Sequence, residues 1–246
     1  STEFVGLLNA MGAKTIEVPT IQFAPPTNRK ALDDACNSAN TFDWIVFTST
    51  KAVEAFMERF IALENDIQSL KHIRFCAVGP ATAAKLTDYQ LSVSALPKEH
   101  RSEALAELLA EYVRGTRVLL PRADLAGTNL PDALRHAGAD VHDVIAYRTI
   151  PVQSKRHDVH TMLIEKQIDV ITFTSASTVR NFVAMMGGGS VTELVTHTLI
   201  AAIGPVTADA ARSLGMNVAI VPKKHTVSAL VEAIAAYFKI TDPTYR

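Results

Sequence analysis

"FTSTKAVEAF", Phe47 to Phe56, reads as the end of a buried strand passing through a polar turn into a helix. It returns as "FTSASTVRNF", Phe173 to Phe182. The second copy starts 126 positions after the first (173 minus 47). Three further pairs keep nearly this spacing. "GAKTIEVPTI" (Gly12–Ile21) matches "GADVHDVIAY" (Gly138–Tyr147), and "FCAVGPATAAKL" (Phe75–Leu86) matches "IAAIGPVTADAA" (Ile200–Ala211). "LPKEHRSEALAELLAEY" (Leu96–Tyr112) matches "VPKKHTVSALVEAIAAY" (Val221–Tyr237). A repeat this long is a domain, because solenoid units run to roughly 20–50 residues. The chain therefore reads as two copies of one α/β domain.

Apolar β-branched runs alternate with amphipathic stretches. Strands are expected at Thr15–Val18, Trp44–Thr48, Arg74–Val78, Leu91–Ser94, Arg117–Leu120, Val141–Ile145, Val170–Thr174, Leu199–Ile203 and Val218–Val221. Helices are expected between them, among them Ala52–Leu63, Glu103–Val113 and Ser228–Phe238. Leu105, Leu108, Leu109 and Tyr112 fall at i, i+3, i+4 and i+7, one apolar face of a helix. Strands this uniformly apolar belong to parallel sheets covered on both faces, and their alternation with helices implies βαβ units.

Two proline-bearing stretches interrupt the rhythm, "PTIQFAPPTN" (Pro19–Asn28) and "YRTIPVQS" (Tyr147–Ser154). They occupy matching places in the two copies and read as interdomain crossings. One lobe is then discontinuous, residues 1–20 with 153–246. The other spans 28–146, and linkers 21–27 and 147–152 pair as a two-stranded ribbon. "TRVLLPR" (Thr116–Arg122) has no counterpart in the first copy, so a first strand is expected before Ser1.

Composition narrows the function. The 246 residues are 48% hydrophobic and 20% charged, an ordinary globular mixture. A formal net charge of −1 argues against nucleic acid as partner. No apolar run suits a membrane span and no signal peptide opens the chain. Cys36 and Cys76 lie far apart without C-x-x-C pairing, which reads as free buried thiols in a reducing cytoplasm. The eight histidines form no ligand cluster; His157 and His160 lack partners, and His100 and His225 read as surface loop residues. Neither metal nor organic cofactor is expected. G-x-x-x-x-G-K-[ST] and G-x-G-x-x-G are both absent, and "GGG" (Gly187–Gly189) reads as a helix stop.

Chemistry is then expected where strands end. Thr48-Ser49-Thr50 and Thr174-Ser175-Ala176 each stand between a parallel strand and a helix, where open α/β sheets bind ligands. The free N–H groups there favour anions; helix capping alone is the competing reading. "GPAT" (Gly79–Thr82) and "GPVT" (Gly204–Thr207) put proline at the first helical position and a threonine one turn in. Arg122 ends another strand, as a carboxylate partner or a solvated side chain. Tyr147 lies at a crossing, as a catalytic phenol or a packed ring. Together these suit a flexible polyanionic small molecule.

The ordered set of FTS turns, GP-x-T-A turns and "VIAYRTIP" resembles the uroporphyrinogen-III synthase family, from Gly12 to Phe238. The resemblance implies two α/β lobes of flavodoxin-like topology. It implies a lyase of porphyrin and heme biosynthesis that cyclises hydroxymethylbilane, a linear tetrapyrrole, with loss of water and inversion of ring D. By motif, Tyr147 would stand near the leaving hydroxyl. Ser49, Thr82, Ser175 and Thr207, with Arg122, would hold carboxylate arms. The chain departs from the family with Lys51, where Asn is frequent, and Ala176, where Pro is common. The resemblance implies no metal or organic cofactor; no nucleic-acid or membrane partner is expected, and the sequence leaves a monomer open. The competing class is a two-lobed binding protein for an anionic small molecule; a third is another enzyme on the same scaffold.

Overall fold

The structure is a computed structural model that describes residues 2–152, 156–188 and 191–241. Nine strands and eleven α-helices alternate among the described residues. The chain divides into two compact units, residues 23–150 and residues 1–22 with 151–246.

The 23–150 unit is built on a sheet of β1 (Ile21–Ala24), β2 (Trp44–Phe47), β3 (Arg74–Ala77), β4 (Val93–Ala95), β5 (Arg117–Ala123) and β6 (Asp140–Pro151). Their spatial order is β1-β6-β5-β2-β3-β4. The β2–β3, β2–β5, β3–β4 and β5–β6 pairs are all parallel. Side chains alternate across a strand, so one apolar run feeds two cores. Ile45, Phe47, Phe75, Ala77 and Leu119 pack against α2 (Arg29–Asn37), α3 (Thr50–Ala62) and α4 (Pro80–Asp88). Trp44, Val46, Cys76, Val118 and Leu120 pack against α5 (Ser102–Leu109) and α6 (Asn129–His136). Burial on both faces is what removed the usual strand alternation from the sequence. Phe56, fully buried in α3, stands 5.8 Å from the Phe47 ring and 6.1 Å from that of Phe60. Its truncation to alanine is worth about 3–5 kcal/mol.

The other unit holds a parallel sheet of β7 (Val170–Phe173), β8 (Leu199–Ala202) and β9 (Val218–Ile220), in that order. Phe173 and Ile200 pack with residues of α7 (Arg156–Ile164), α8 (Ala176–Met186), α9 (Val191–Leu194) and α10 (Pro205–Ser213). Ala201 and Ile220 pack with α1 (Thr2–Ala10) and α11 (Val227–Thr241). Gly187, at φ +96°, ends α8 in the left-handed conformation that glycine adopts without strain; Gly189 lies outside the described residues. No described helix is long and apolar enough to cross a membrane.

One expectation is corrected. Thr15–Val18 is no strand: residues 13–19 have no regular structure and Ile16 is 47% exposed. Its repeat equivalent, Val141–Ile145, is a strand because β5 pairs with it. Strand-like composition does not make a strand; a ladder needs a partner strand, which β5 supplies to 141–145. Ile21–Ala24, in the first proline-bearing stretch, which is expected to pair with the second, forms β1, hydrogen-bonded beside β6. β6 itself runs unbroken through Tyr147–Pro151.

Candidate functional site

The repeated FTS turn folds identically in both units. Ser49 is extended (φ −156°, ψ 154°), and its Oγ accepts the Ala52 N–H at 3.1 Å, capping α3. Ser175 (φ −159°, ψ 157°) accepts the Thr178 N–H at 3.2 Å, capping α8. Each serine satisfies one of the amides that a helix start leaves free. Beyond capping they differ. Ser175 Oγ lies 2.7 Å from Thr178 Oγ1 and 3.0 Å from Ser177 Oγ, a cluster of three hydroxyls. Ser49 Oγ lies 3.3 Å from the Tyr147 phenol oxygen, 98 positions away in the chain.

Tyr147 owes that position to an irregularity in β6. Val144 and Ala146 face the α2–α3–α4 core while Ile145 is exposed, as alternation requires. Alternation would then turn Tyr147 outward. The β5–β6 register shifts here, with Arg122 opposite Ile145 but Ala123 opposite Tyr147. The extra residue is a bulge, which re-aims the side chain that follows it. Tyr147 joins the Val144–Ala146 face, 8% exposed, with the Phe23 ring edge-on at 5.3 Å. A cavity of about 320 Å³ within the 23–150 unit opens against it, lined also by Phe23, Arg29, Lys51, Asp33 and Arg59. Arg59 and Asp33 pair through two bonds of 2.6 and 2.8 Å, and hydrogen bonding from Arg59 lowers the pKa of the Asp33 carboxyl. Lys51 Nζ sits 3.2 Å from Glu54 and 5.7 Å from the Phe23 ring centre.

The GP turns also repeat. Gly79 and Gly204 are extended N-caps, with Pro80 and Pro205 opening α4 and α10. Thr82 and Thr207 are each 4% exposed and make no side-chain hydrogen bond among the described residues. His100 and His225, exposed as expected, lie against these glycines. A Cβ on Gly79 would meet His100 Cβ at 3.5 Å, and one on Gly204 would meet His225 Cγ at 3.1 Å. The repeated "PK-x-H" carried that signal without revealing its partner.

Arg122 departs from both of its sequence readings. It is neither solvated nor open to a ligand carboxylate. Its side chain is 12% exposed. Nε and Nη2 fork onto the Asp143 carboxylate, while Nη1 donates to the carbonyls of Ala126 and Gly127. Four of five donor positions are thus held by its own loop and neighbouring strand, the bidentate geometry that suits arginine.

The structure therefore brings Ser49 and Tyr147 together in one unit, with Thr82 in the first turn of α4, the helix that follows the neighbouring strand β3. Ser175 and Thr207 occupy the same two kinds of turn in the other unit. Both thiols are free and buried, and burial, the largest effect, pushes each pKa up to about 12, so neither is a nucleophile at neutral pH. No group of three or more metal-ligating side chains occurs among the described residues.

Comparison with known proteins bears on this arrangement. A family model described as uroporphyrinogen-III synthase HemD matches residues 2–232. The uroporphyrinogen-III synthase of Synechococcus elongatus is 31% identical, over 98% of this chain and 92% of that one. That of Chlorobaculum parvum is 28% identical, over 96% and 94%. Among solved structures, the Helicobacter pylori uroporphyrinogen-III synthetase superposes with a TM-score of 0.58 at 18% identity, covering 92% of this chain and 97% of that one. A variant of the Thermus thermophilus enzyme gives 0.57 at 19% identity, covering 97% and 94%. These two likenesses establish a shared fold.

Proposed function

The chain belongs to the uroporphyrinogen-III synthase family, and from that premise we propose that it is a lyase closing hydroxymethylbilane to uroporphyrinogen III, with loss of water and inversion of ring D. The observation that carries the reading is the Tyr147 phenol, held by the bulge 3.3 Å from Ser49 Oγ at the strand ends. The carbon–oxygen bond of the substrate's hydroxymethyl group breaks heterolytically, and the departing oxygen needs a proton. Phenols carry theirs at neutral pH. The pyrrole nitrogen stabilises the cation left behind, so a strong acid is unnecessary. Inversion of ring D further requires the bond between that ring and its bridging methylene to break and to re-form at the ring's other α-carbon; the carbon that makes the last bond releases a proton as aromaticity returns, which restores the phenol and leaves water as the only by-product.

Two lobes fit this substrate. The two compact units support that reading, as does the strand order of the first. Numbered cyclically from β5, the order β6-β5-β2-β3-β4 reads 2-1-3-4-5, a circular permutation of the flavodoxin-like doubly wound order. Ser49, Thr82, Ser175 and Thr207, at matched helix starts, would hold the acetate and propionate arms together with the free amides beside them. Arg122 would act from behind, fixing the loop after β5, and is withdrawn from the carboxylate contacts.

The test is the isomer formed. Spontaneous closure gives type I and enzymatic closure type III, resolved by chromatography of the oxidised products. Tyr147→Phe keeps the ring packed against Phe23 and removes only the hydroxyl. Turnover should fall on the order of a hundredfold, with the residual product drifting toward type I. A folded Phe variant making type III at full rate would assign Tyr147 to packing, and a wild-type protein making no type III would leave a binding protein or another enzyme on the same scaffold.

A further inference from the structure

On the β5 side, the bulge that aims Tyr147 is gripped beyond the register shift by one residue. β5 ends at Ala123, and Asp124 turns away into the loop toward α6. Its backbone N–H still donates to the Tyr147 carbonyl at 3.1 Å, a rung of the parallel ladder. In such a ladder the next rung runs from the N–H two residues on, here Thr149, to the carbonyl of the facing residue. That N–H instead meets the Asp124 side chain, with Oδ1 accepting it at 3.1 Å. The carboxylate stands in for a main-chain carbonyl that the turn has carried away. Asp124 thus grips β6 on both sides of the residue after Tyr147, immediately beyond the register shift.

A bulge leaves its strand locally unpaired and free to slip by one residue, and such a slip turns every following side chain to the other face. For Tyr147 the other face lies away from Ser49 and from the cavity. We propose that Asp124 is a positioning residue for Tyr147, pinning the bulge in the register that presents the phenol to the substrate. For its catalytic consequence this rests on the proton-donor reading above; for the placement of the ring it does not.

The experiment therefore has a structural and a kinetic arm. The chain has five tyrosines, so with ¹³C-labelled tyrosine the Tyr147 ring resonance is the one missing from Tyr147→Phe. Asp124→Ala removes the acceptor; the ring resonance should shift or broaden. Asp124→Asn keeps a side-chain oxygen for the Thr149 N–H and should restore it. In turnover of hydroxymethylbilane, Asp124→Ala should cost about tenfold when Tyr147 is present, the scale of a small misplacement of a reacting group. It should cost less than about twofold in the Tyr147→Phe background, because the two residues act as a unit. Asp124→Asn should stay within about threefold of wild type. An unmoved Tyr147 resonance in Asp124→Ala, or an equal loss of turnover in both backgrounds, overturns the proposal. If Tyr147→Phe is fully active while the resonance moves, the proton-donor reading falls and the positioning stands. Should the alanine variant aggregate, Asp124→Glu keeps the charge but displaces the carboxylate by one methylene, and must shift the same resonance.

Discussion

Ser175 carries two duties that a single substitution can separate. As a cap it satisfies the Thr178 N–H; as a proposed ligand contact it must face a carboxylate. Aspartate is as good an N-cap as serine and complements the helix dipole. Ser175→Asp should therefore leave the urea midpoint nearly unchanged, whereas Ser175→Ala should cost about 1 kcal/mol. Against an anionic substrate the aspartate repels, so its KM should rise about tenfold. An unchanged KM would reduce Ser175 to a cap. For Thr82 and Thr207, 4% exposed, valine preserves shape and removes the hydroxyl. Each valine variant should bind product about 1–3 kcal/mol more weakly, measured by calorimetric titration, if the hydroxyl meets a charged arm. At this scale the sequence disclosed Ser49 and Tyr147 through their motifs. It did not disclose Asp124, because "VIAY" followed as a simple alternation turns Tyr147 outward, and nothing in the letters marks the extra residue.

The turns that end helices decide more than the helices do. Gly215 follows Leu214, the residue that caps the end of α10, at φ +82°, and a Cβ there would stand 2.7 Å from Thr192 Cγ2. Alanine must adopt a left-handed backbone and also displace the α9 side chain. Gly12, at φ +86°, has nothing within 4 Å of the same position. Gly215→Ala should lower stability by more than about 1 kcal/mol, and by more than Gly12→Ala, as read from paired urea denaturation curves. Equal losses would show that only the backbone conformation counts. Element by element, the strands buried on both faces were legible because their apolar runs are bounded by turns. Thr15–Val18 has the composition of a strand yet takes no regular structure, whereas Ile21–Ala24, in a crossing expected to pair, lies beside β6. Pairing is a property of the partner, so a local pattern cannot report it; an edge position such as that of β1 also tolerates flanking prolines.

At the scale of the whole molecule, the two cysteines both fall in the 23–150 unit, one on each face of its sheet. The single tryptophan, Trp44, lies in the same unit, 3% exposed, so its fluorescence reports that unit's unfolding. Burial raises each thiol from 9.0 to about 12 in the folded chain. For Cys36 the neighbouring Asp33 adds to the effect and Arg59 opposes it. Below pH 9 both states keep these protons and the thiols leave stability untouched. As pH rises toward 12 the unfolded chain loses protons that the folded chain retains, so unfolding is favoured. The slope is about 1.4 kcal/mol per pH unit for each thiol, or about 1.4 kcal/mol per thiol between pH 8 and 10, since the titration begins near 9. Tyrosines and lysines titrate in the same range, so the thiol share is isolated by comparison. Cys36→Ala and Cys76→Ala should each begin less stable at pH 8, through lost packing, yet decline less steeply by that amount. Trp44 fluorescence in urea at pH 8, 9 and 10 measures both quantities. Parallel declines in wild type and variants would mean that the thiols ionise within the folded unit, and an aromatic thiol reagent would then label them at pH 10 without unfolding the chain.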